Sequence, residues 1–179
     1  MELVKANDPI LTTPCQQFNF QDPPFDPIEF ARDLVKHMYE WNGIGLAANQ
    51  IGVPYRIFAM RGEPENFVCY NPKIVQISEM QVVLEEGCLS FPGLICKVKR
   101  PQHVRVRFQT PNGDTLTKQF TGMTARIFQH ELDHLDGILY YNKANRYHKE
   151  AALKKWKKID PSQIKANPIG GYYEHLLPR

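Results

Sequence analysis

Apolar positions recur along this chain in two periods, and the change of period marks where helix gives way to strand. After Asp26-Pro27, the residues Ile28, Ala31, Leu34, Val35, Met38 and Tyr39 follow at three- and four-residue steps. That spacing lines one side of a helix. Asp26 is a side-chain cap, and proline suits the first helical position. The pattern predicts a helix from 27 to about 41, ended by Asn42-Gly43. The period then shortens. Short strands are predicted over 55–60, 68–70, 73–78, 81–85 and 94–98. The segment 103–110 alternates most clearly, with Val104, Val106 and Phe108 on one face and Arg105 and Arg107 on the other. Pro111-Asn112-Gly113-Asp114 is a hairpin turn, and 115–120 is its return strand, with Leu116 and Phe120 inward. Helical spacing returns over about 123–136 and stops at Gly137. A third helix, dense in lysine, is predicted over 147–158.

Residues 7–25 and 160–179 read as irregular, and no internal repeat or linker interrupts the chain. The architecture expected is α+β, with antiparallel strands packed around a central helix. Its organisation is a body over 1–145 followed, over 146–179, by a basic helix and irregular tail of the same domain.

Composition narrows the function classes. At 179 residues, 42% apolar and 23% charged, the chain is an ordinary globular length and mix. No apolar run approaches the roughly 20 residues of a membrane span. Residues 1–10 lack a signal-peptide core. Four cysteines are too few for a disulfide scaffold, so reduced thiols and a cytoplasmic setting are expected. The net charge of +3 hides an asymmetry. Residues 143–179 hold nine Lys/Arg against three acids, while the rest hold thirteen against sixteen. The basic end is therefore a separable feature that can address a negative partner.

The densest chemistry is Gln129-His130-Glu131-Leu132-Asp133-His134. Histidines at i and i+4 share one helical face and can chelate one ion. Glu131, beside the first of them, is placed to act as a general base on water. A catalytic ion of this kind takes three protein ligands and keeps an open position. Position 140, where one family of metallopeptidases would carry a third histidine, is tyrosine. Glu150 lies in the basic helix and Glu174 in the tail. The upstream candidate is Cys88, in the glycine-flanked turn Glu85-Glu86-Gly87-Cys88-Leu89-Ser90-Phe91-Pro92-Gly93.

Three blocks in order carry a resemblance. Gly43-Ile44-Gly45-Leu46-Ala47-Ala48-Asn49-Gln50, Glu86-Gly87-Cys88-Leu89-Ser90 and Gln129-His130-Glu131-Leu132-Asp133-His134 together resemble the peptide deformylase family, over most of residues 3–142. The resemblance implies hydrolysis of the N-formyl group from the N-terminal methionine of nascent polypeptides, releasing formate. It assigns Cys88, His130 and His134 to one divalent metal, Fe²⁺ in the cell, with Zn²⁺, Ni²⁺ or Co²⁺ as substitutes. It makes Glu131 the base, and gives the developing oxyanion to the Gln50 side-chain amide and the Leu89 backbone N–H. The peptide is expected to lie as an added strand between Ile44-Gly45 and Gly87, where glycines leave room for its backbone. Ile44, Leu89, Met123 and Ile127 are candidates for the methionine pocket. Glu86 and Arg100 are expected to pair and hold the Cys88 loop, and Asp133 to orient a histidine.

Two other readings of the same residues stay open at this point. One is a metallopeptidase using the same histidine motif, for which the sequence offers no well-placed third His or Glu. The other is a non-catalytic ribosome-binding relative, supported by the basic end alone. In some deformylases a C-terminal helix contacts the ribosome, and the helix here, with Ala152, Leu153 and Trp156 on one face and Lys149, Lys154, Lys155, Lys157 and Lys158 around it, is loosely similar. The expected partner is an N-formyl-methionyl peptide, with neither DNA nor membrane, and the protein is expected to be a monomer.

Overall fold

Asp26 opens the first helix as a cap. Its Oδ1 accepts the backbone N–H groups of Ile28 and Glu29 at 2.8 and 2.9 Å, and Pro27 sits where no amide is needed. In the computed structural model, which describes residues 1–160, this helix, α1, runs Pro27–Glu40. Its buried stripe is Phe30, Ala31, Leu34 and Met38. Ile28 and Tyr39, expected in that stripe, are 48% and 45% exposed. The stripe is centred on Leu34, and both residues lie beyond its edge, on the side of Val35.

The strands are β1 (Gly45–Ala47), β2 (Ile57–Met60), β3 (Phe67–Ile77), β4 (Gln81–Cys88), β5 (Phe91–Pro101), β6 (His103–Gln109) and β7 (Thr115–Thr121). Five of them form an antiparallel sheet in the order β1-β2-β3-β6-β7, and β4 and β5 form a separate two-stranded ribbon. The α+β class with antiparallel sheets is therefore the one expected. Segments 68–70 and 73–78, predicted as two strands, are one. Asn71 adopts φ 49° and the register shifts between Tyr70 and Lys73. The Asn71 side chain accepts from Phe18 N–H at 2.8 Å and donates to Phe18 O at 2.9 Å, which holds the bulge in place. Strand β1 was not anticipated: its three residues are all buried, so no alternation betrays it. Cys88 ends β4 and pairs with Phe91, rather than sitting in a turn after the strand. Val104, Val106, Phe108 and Phe120 face the core, whereas Leu116, expected inward, is 36% exposed on the last strand of the sheet.

Helix α2 (Gly122–Leu135) packs on the β1–β2 end of that sheet from one side, and α1 packs on it from the other. The alternation of β2 serves both. Phe58 and Met60 join the core with Phe128 of α2, while Ile57 and Ala59 join Leu34 and Met38 of α1. A third cluster lies on the β4–β5 ribbon, where Leu94, Cys96 and Val98 meet Tyr140. Helix α3 (Arg146–Trp156) closes that cluster. Its Ala152, Leu153 and Trp156 pack inward, and Trp156 Nε1 donates to Pro92 O at 2.9 Å. The face that could have docked on a ribosome is thus used within the chain, as a packing helix, and Lys154, Lys155, Lys157 and Lys158 remain exposed. The irregular tail expected beyond it lies outside the described residues from 161 on. No helix among the described residues is long and apolar enough to cross a membrane.

Gly137, after α2, has φ +70°, and a Cβ there would lie 2.8 Å from Thr12 C. Gly122 has φ +55° with nothing within 4 Å of that position. Both substitutions by alanine meet the left-handed penalty of about 1–2 kcal/mol, and only Gly137→Ala adds a backbone clash. Urea unfolding of the two variants is expected to show the larger loss at Gly137; equal losses would remove the contact with Thr12 from the account.

Candidate active site

The three predicted ligands converge. Cys88 comes from the end of β4, and His130 and His134 from successive turns of α2. One donor atom from each lies within 4.8 Å of the other two, and Cys88 Sγ is 3.2 Å from His134 Nε2. Bonds of about 2.0–2.3 Å to one ion fit inside that span. All three residues are withdrawn from solvent, at 9% exposure or less. Burial, followed by the charges of His130 and Arg100, pushes the His134 pKa well below its ordinary value and keeps that ring in the neutral form a ligand needs. Burial also disfavours charge on His130, but its neighbours Cys88 and Glu86 more than offset this and raise its pKa.

A buried carboxylate sets the orientation of His130. Glu86 Oε2 is 2.9 Å from His130 Nδ1, which turns the other ring nitrogen to the site. The rest of Glu86 is filled by arginine. Arg100 Nε and Nη2 donate to its two oxygens at 2.6 and 2.9 Å, and Arg126 Nη1 donates to Oε1 at 2.8 Å. Burial alone would raise the Glu86 pKa, and Arg100 and His130 together hold it far below the usual carboxylate range. The predicted Glu86–Arg100 pair is present. Asp133, expected to orient a histidine, instead accepts from Arg100 Nη1 at 2.7 Å, with Lys143 Nζ at 3.5 Å. It braces the arginine, and Glu86 meets the histidine.

Arg126 was not anticipated. Beyond Glu86 it donates to Val98 O at 2.9 Å and Val82 O at 2.6 Å, which ties α2 to both strands of the ribbon. Its signal was available: it lies one helical turn before His130 and so on the same face. Tyr140 was noted only as not being a histidine. Its ring lies 5.2 Å from that of His130, and its hydroxyl donates to Leu94 O at 2.5 Å.

Glu131 and Gln50 complete the cleft. Burial pushes the Glu131 carboxyl up to about 7, and its Oε2 has no hydrogen-bond partner among the described residues. Gly45 explains how that side chain fits. A Cβ at Gly45 would collide with Glu131 Oε1 and stand 2.6 Å from its Cδ. Gln50 is fixed at both ends. Its Oε1 accepts from Ala47 N–H at 2.9 Å, and its Nε2 donates to Ser90 Oγ at 3.0 Å with Cys88 Sγ at 3.4 Å. Ser90, unassigned from sequence, thereby orients the amide. Ile44, Gly87, Leu89, Met123 and Ile127 all line the same open cleft, beside Gln50, Cys88, His130 and Glu131. Leu89 and Met123 also pack against the core clusters.

Comparison with known proteins bears on what this cleft is. The family model described as polypeptide deformylase matches residues 1–150. A peptide deformylase of a Wolbachia pipientis strain from Culex pipiens is 39% identical over 144 residues, covering 73% of this chain and 80% of the relative. The solved structure of Thermus thermophilus peptide deformylase superposes with a TM-score of 0.81 at 34% identity, covering 87% of this chain and 92% of that one. A Plasmodium falciparum peptide deformylase in complex with an inhibitor gives 0.79 at 36% identity, covering 88% and 97%. The match runs through the β4–β5 ribbon and α2, the elements that bring the cysteine and the two histidines together, and with it the chain belongs to the polypeptide deformylase family.

Proposed function

We propose that this chain hydrolyses the N-formyl group from the N-terminal methionine of nascent peptides, releasing formate. The observation that carries the reading is the meeting, in one cleft, of a thiol and two imidazoles with a buried carboxylate and a fixed side-chain amide. Cys88, His130 and His134 would hold one divalent ion, and a thiolate with two imidazoles suits Fe²⁺, with Zn²⁺, Ni²⁺ or Co²⁺ as substitutes. Such an ion supplies Lewis acidity, polarising the formyl carbonyl and acidifying water.

The chain's own groups do the rest. Glu131 accepts a proton from the attacking water and returns it to the leaving amine. Its raised pKa matches it to proton transfer near neutrality. Gln50 donates from Nε2 to the charge that develops on the formyl oxygen, and an amide does so without titrating. The Leu89 backbone N–H is the second donor. The peptide backbone adds as a strand along Ile44-Gly45, with Gly87 on its far side. The methionine side chain fills the cleft between Ile44, Met123 and Ile127. Glu86, braced by Arg100 and Arg126, keeps His130 aimed, and Asp133 steadies Arg100.

Formate release from formyl-Met-Ala-Ser, by protein prepared without oxygen and supplied with Fe²⁺ or Ni²⁺, tests the reaction. Glu131→Ala is expected to retain metal and lose turnover; normal turnover in a metal-loaded variant would remove Glu131 as the base. Cys88→Ser is expected to lose metal on dialysis, because a hydroxyl replaces a thiolate poorly, and metal analysis checks it. Unchanged metal content would take Cys88 out of the ligand set. Gly45→Ala displaces the Glu131 carboxylate, and a misplacement of about 1 Å costs roughly a hundredfold in rate. The expected result is a kcat lowered on that order with one metal still bound.

A further inference from the structure

Arg61 follows β2 and lies across from Ile44, with its backbone N–H donating to Ile44 O at 2.8 Å. Its guanidinium carbon stands 4.3 Å over the ring of Tyr39. Tyr39 is itself held by a hydrogen bond of 3.0 Å from its hydroxyl to Asn66 Oδ1. Arg56, Arg100 and Arg126 all have carboxylate partners, but Arg61 forms no ion pair among the described residues. Its Nε is closed off from solvent and has no hydrogen-bond partner among the described residues. The two terminal amino groups make no hydrogen bond among the described residues and are not closed off, so they are the donors open to an acceptor from outside the chain.

The place it faces continues the active-site cleft. Tyr39, Arg61, Glu63 and Thr124 line a second pocket together with Met123 and Ile127, and the last two also line the cleft that holds Cys88 and His130. A strand laid along Ile44-Gly45 presents every second side chain to the same face, about 7 Å apart. If its first side chain enters the cleft, its third passes the far side of Met123, where the second pocket opens.

From this geometry we infer that Arg61 reads a carboxylate at the third residue of the peptide substrate, so that the chain prefers formyl-methionyl peptides acidic at that position. The inference rests on the deformylase reading of the cleft. The Tyr39 ring lies against the guanidinium, a cation–π contact that holds the side chain in place, and a carboxylate can be met by its terminal N–H groups. The carboxylate can come from an Asp or Glu side chain or from the C-terminus of a tripeptide. Glu63 stands on the same pocket, exposed, and opposes such a ligand by like charge.

The test compares kcat/KM by formate release for four-residue C-terminally amidated peptides, formyl-Met-Ala-X-Ala, with X as Glu, Ala or Lys. The Glu peptide is expected to exceed the Ala peptide about fivefold at low salt, the size of a well-made charge contact at a half-exposed site, and Lys is expected to fall below both. Arg61→Met should bring the three values together, where a merely structural role would lower all three in proportion. Glu63→Gln should widen the Glu preference. Formyl-Met-Ala-Ala as free acid against its amide separates the two sources of the carboxylate: a preference for the free acid alone assigns Arg61 to the C-terminus and overturns the side-chain assignment. Equal rates for Glu, Ala and Lys in the unaltered chain overturn the inference and leave the deformylase reading intact. No formate from any peptide by metal-loaded protein overturns both.

Discussion

A carboxylate shut away from water can stay charged only if its lone pairs are filled by donors, and Glu86 is filled on both oxygens. Arg100 points to it from β5, and Arg126 and His130 from successive turns of α2. The desolvation of so many charges is large, and it is offset only while the geometry is complete. That makes the cluster close to all-or-none. Removing one partner strands the others, at a cost of about 3–5 kcal/mol. The same cluster sets the aim of His130, so packing of the ribbon against α2 and orientation of that imidazole are one event rather than two.

The second constraint is space. The β1 segment is wedged where α1 and α2 cover opposite faces of the sheet, and the Glu131 side chain rests directly on Gly45. Gly43 is similarly tight, since a Cβ there would be 2.8 Å from Leu89 Cδ1. Two glycines therefore let a buried acid and the wall of the cleft approach the strand that is expected to bind substrate. Gly45 was read from sequence as room for a peptide. The structure adds a prior demand on the same atom position, made by the carboxylate that is proposed to move the proton.

The legible parts of this molecule are those written in short range. The cap at Asp26, the alternation over β6, the hairpin at Asn112-Gly113 and the pairing of His130 with His134 all depend on neighbours within a few residues, and these lie where expected. Structure departs from pattern where burial depends on a distant partner. Ile28 and Leu116 fit an apolar period, yet nothing packs over them closely enough to shut out water. Strand β1 is invisible to period because two helices cover both its sides. Asp133 and Glu86 were both suitable carboxylates for a histidine, and only the placement of β4 beside α2 decided between them.

By itself, then, the order of residues determined the class of elements, the two-histidine face of a helix with its adjacent acid, and, through three short blocks in register, the family. Those are consequences of backbone periodicity and of which side chains can bind metal or carry a proton. The tertiary structure alone decided that the Cys88 thiol stands beside both imidazoles, that Arg126, Ser90 and Tyr140 pack around them, and that Arg61 meets no carboxylate among the described residues. Each of these is a matter of distance between segments dozens of residues apart, and chain order does not encode which charge will meet which until the sheet and its two covering helices have excluded water between them.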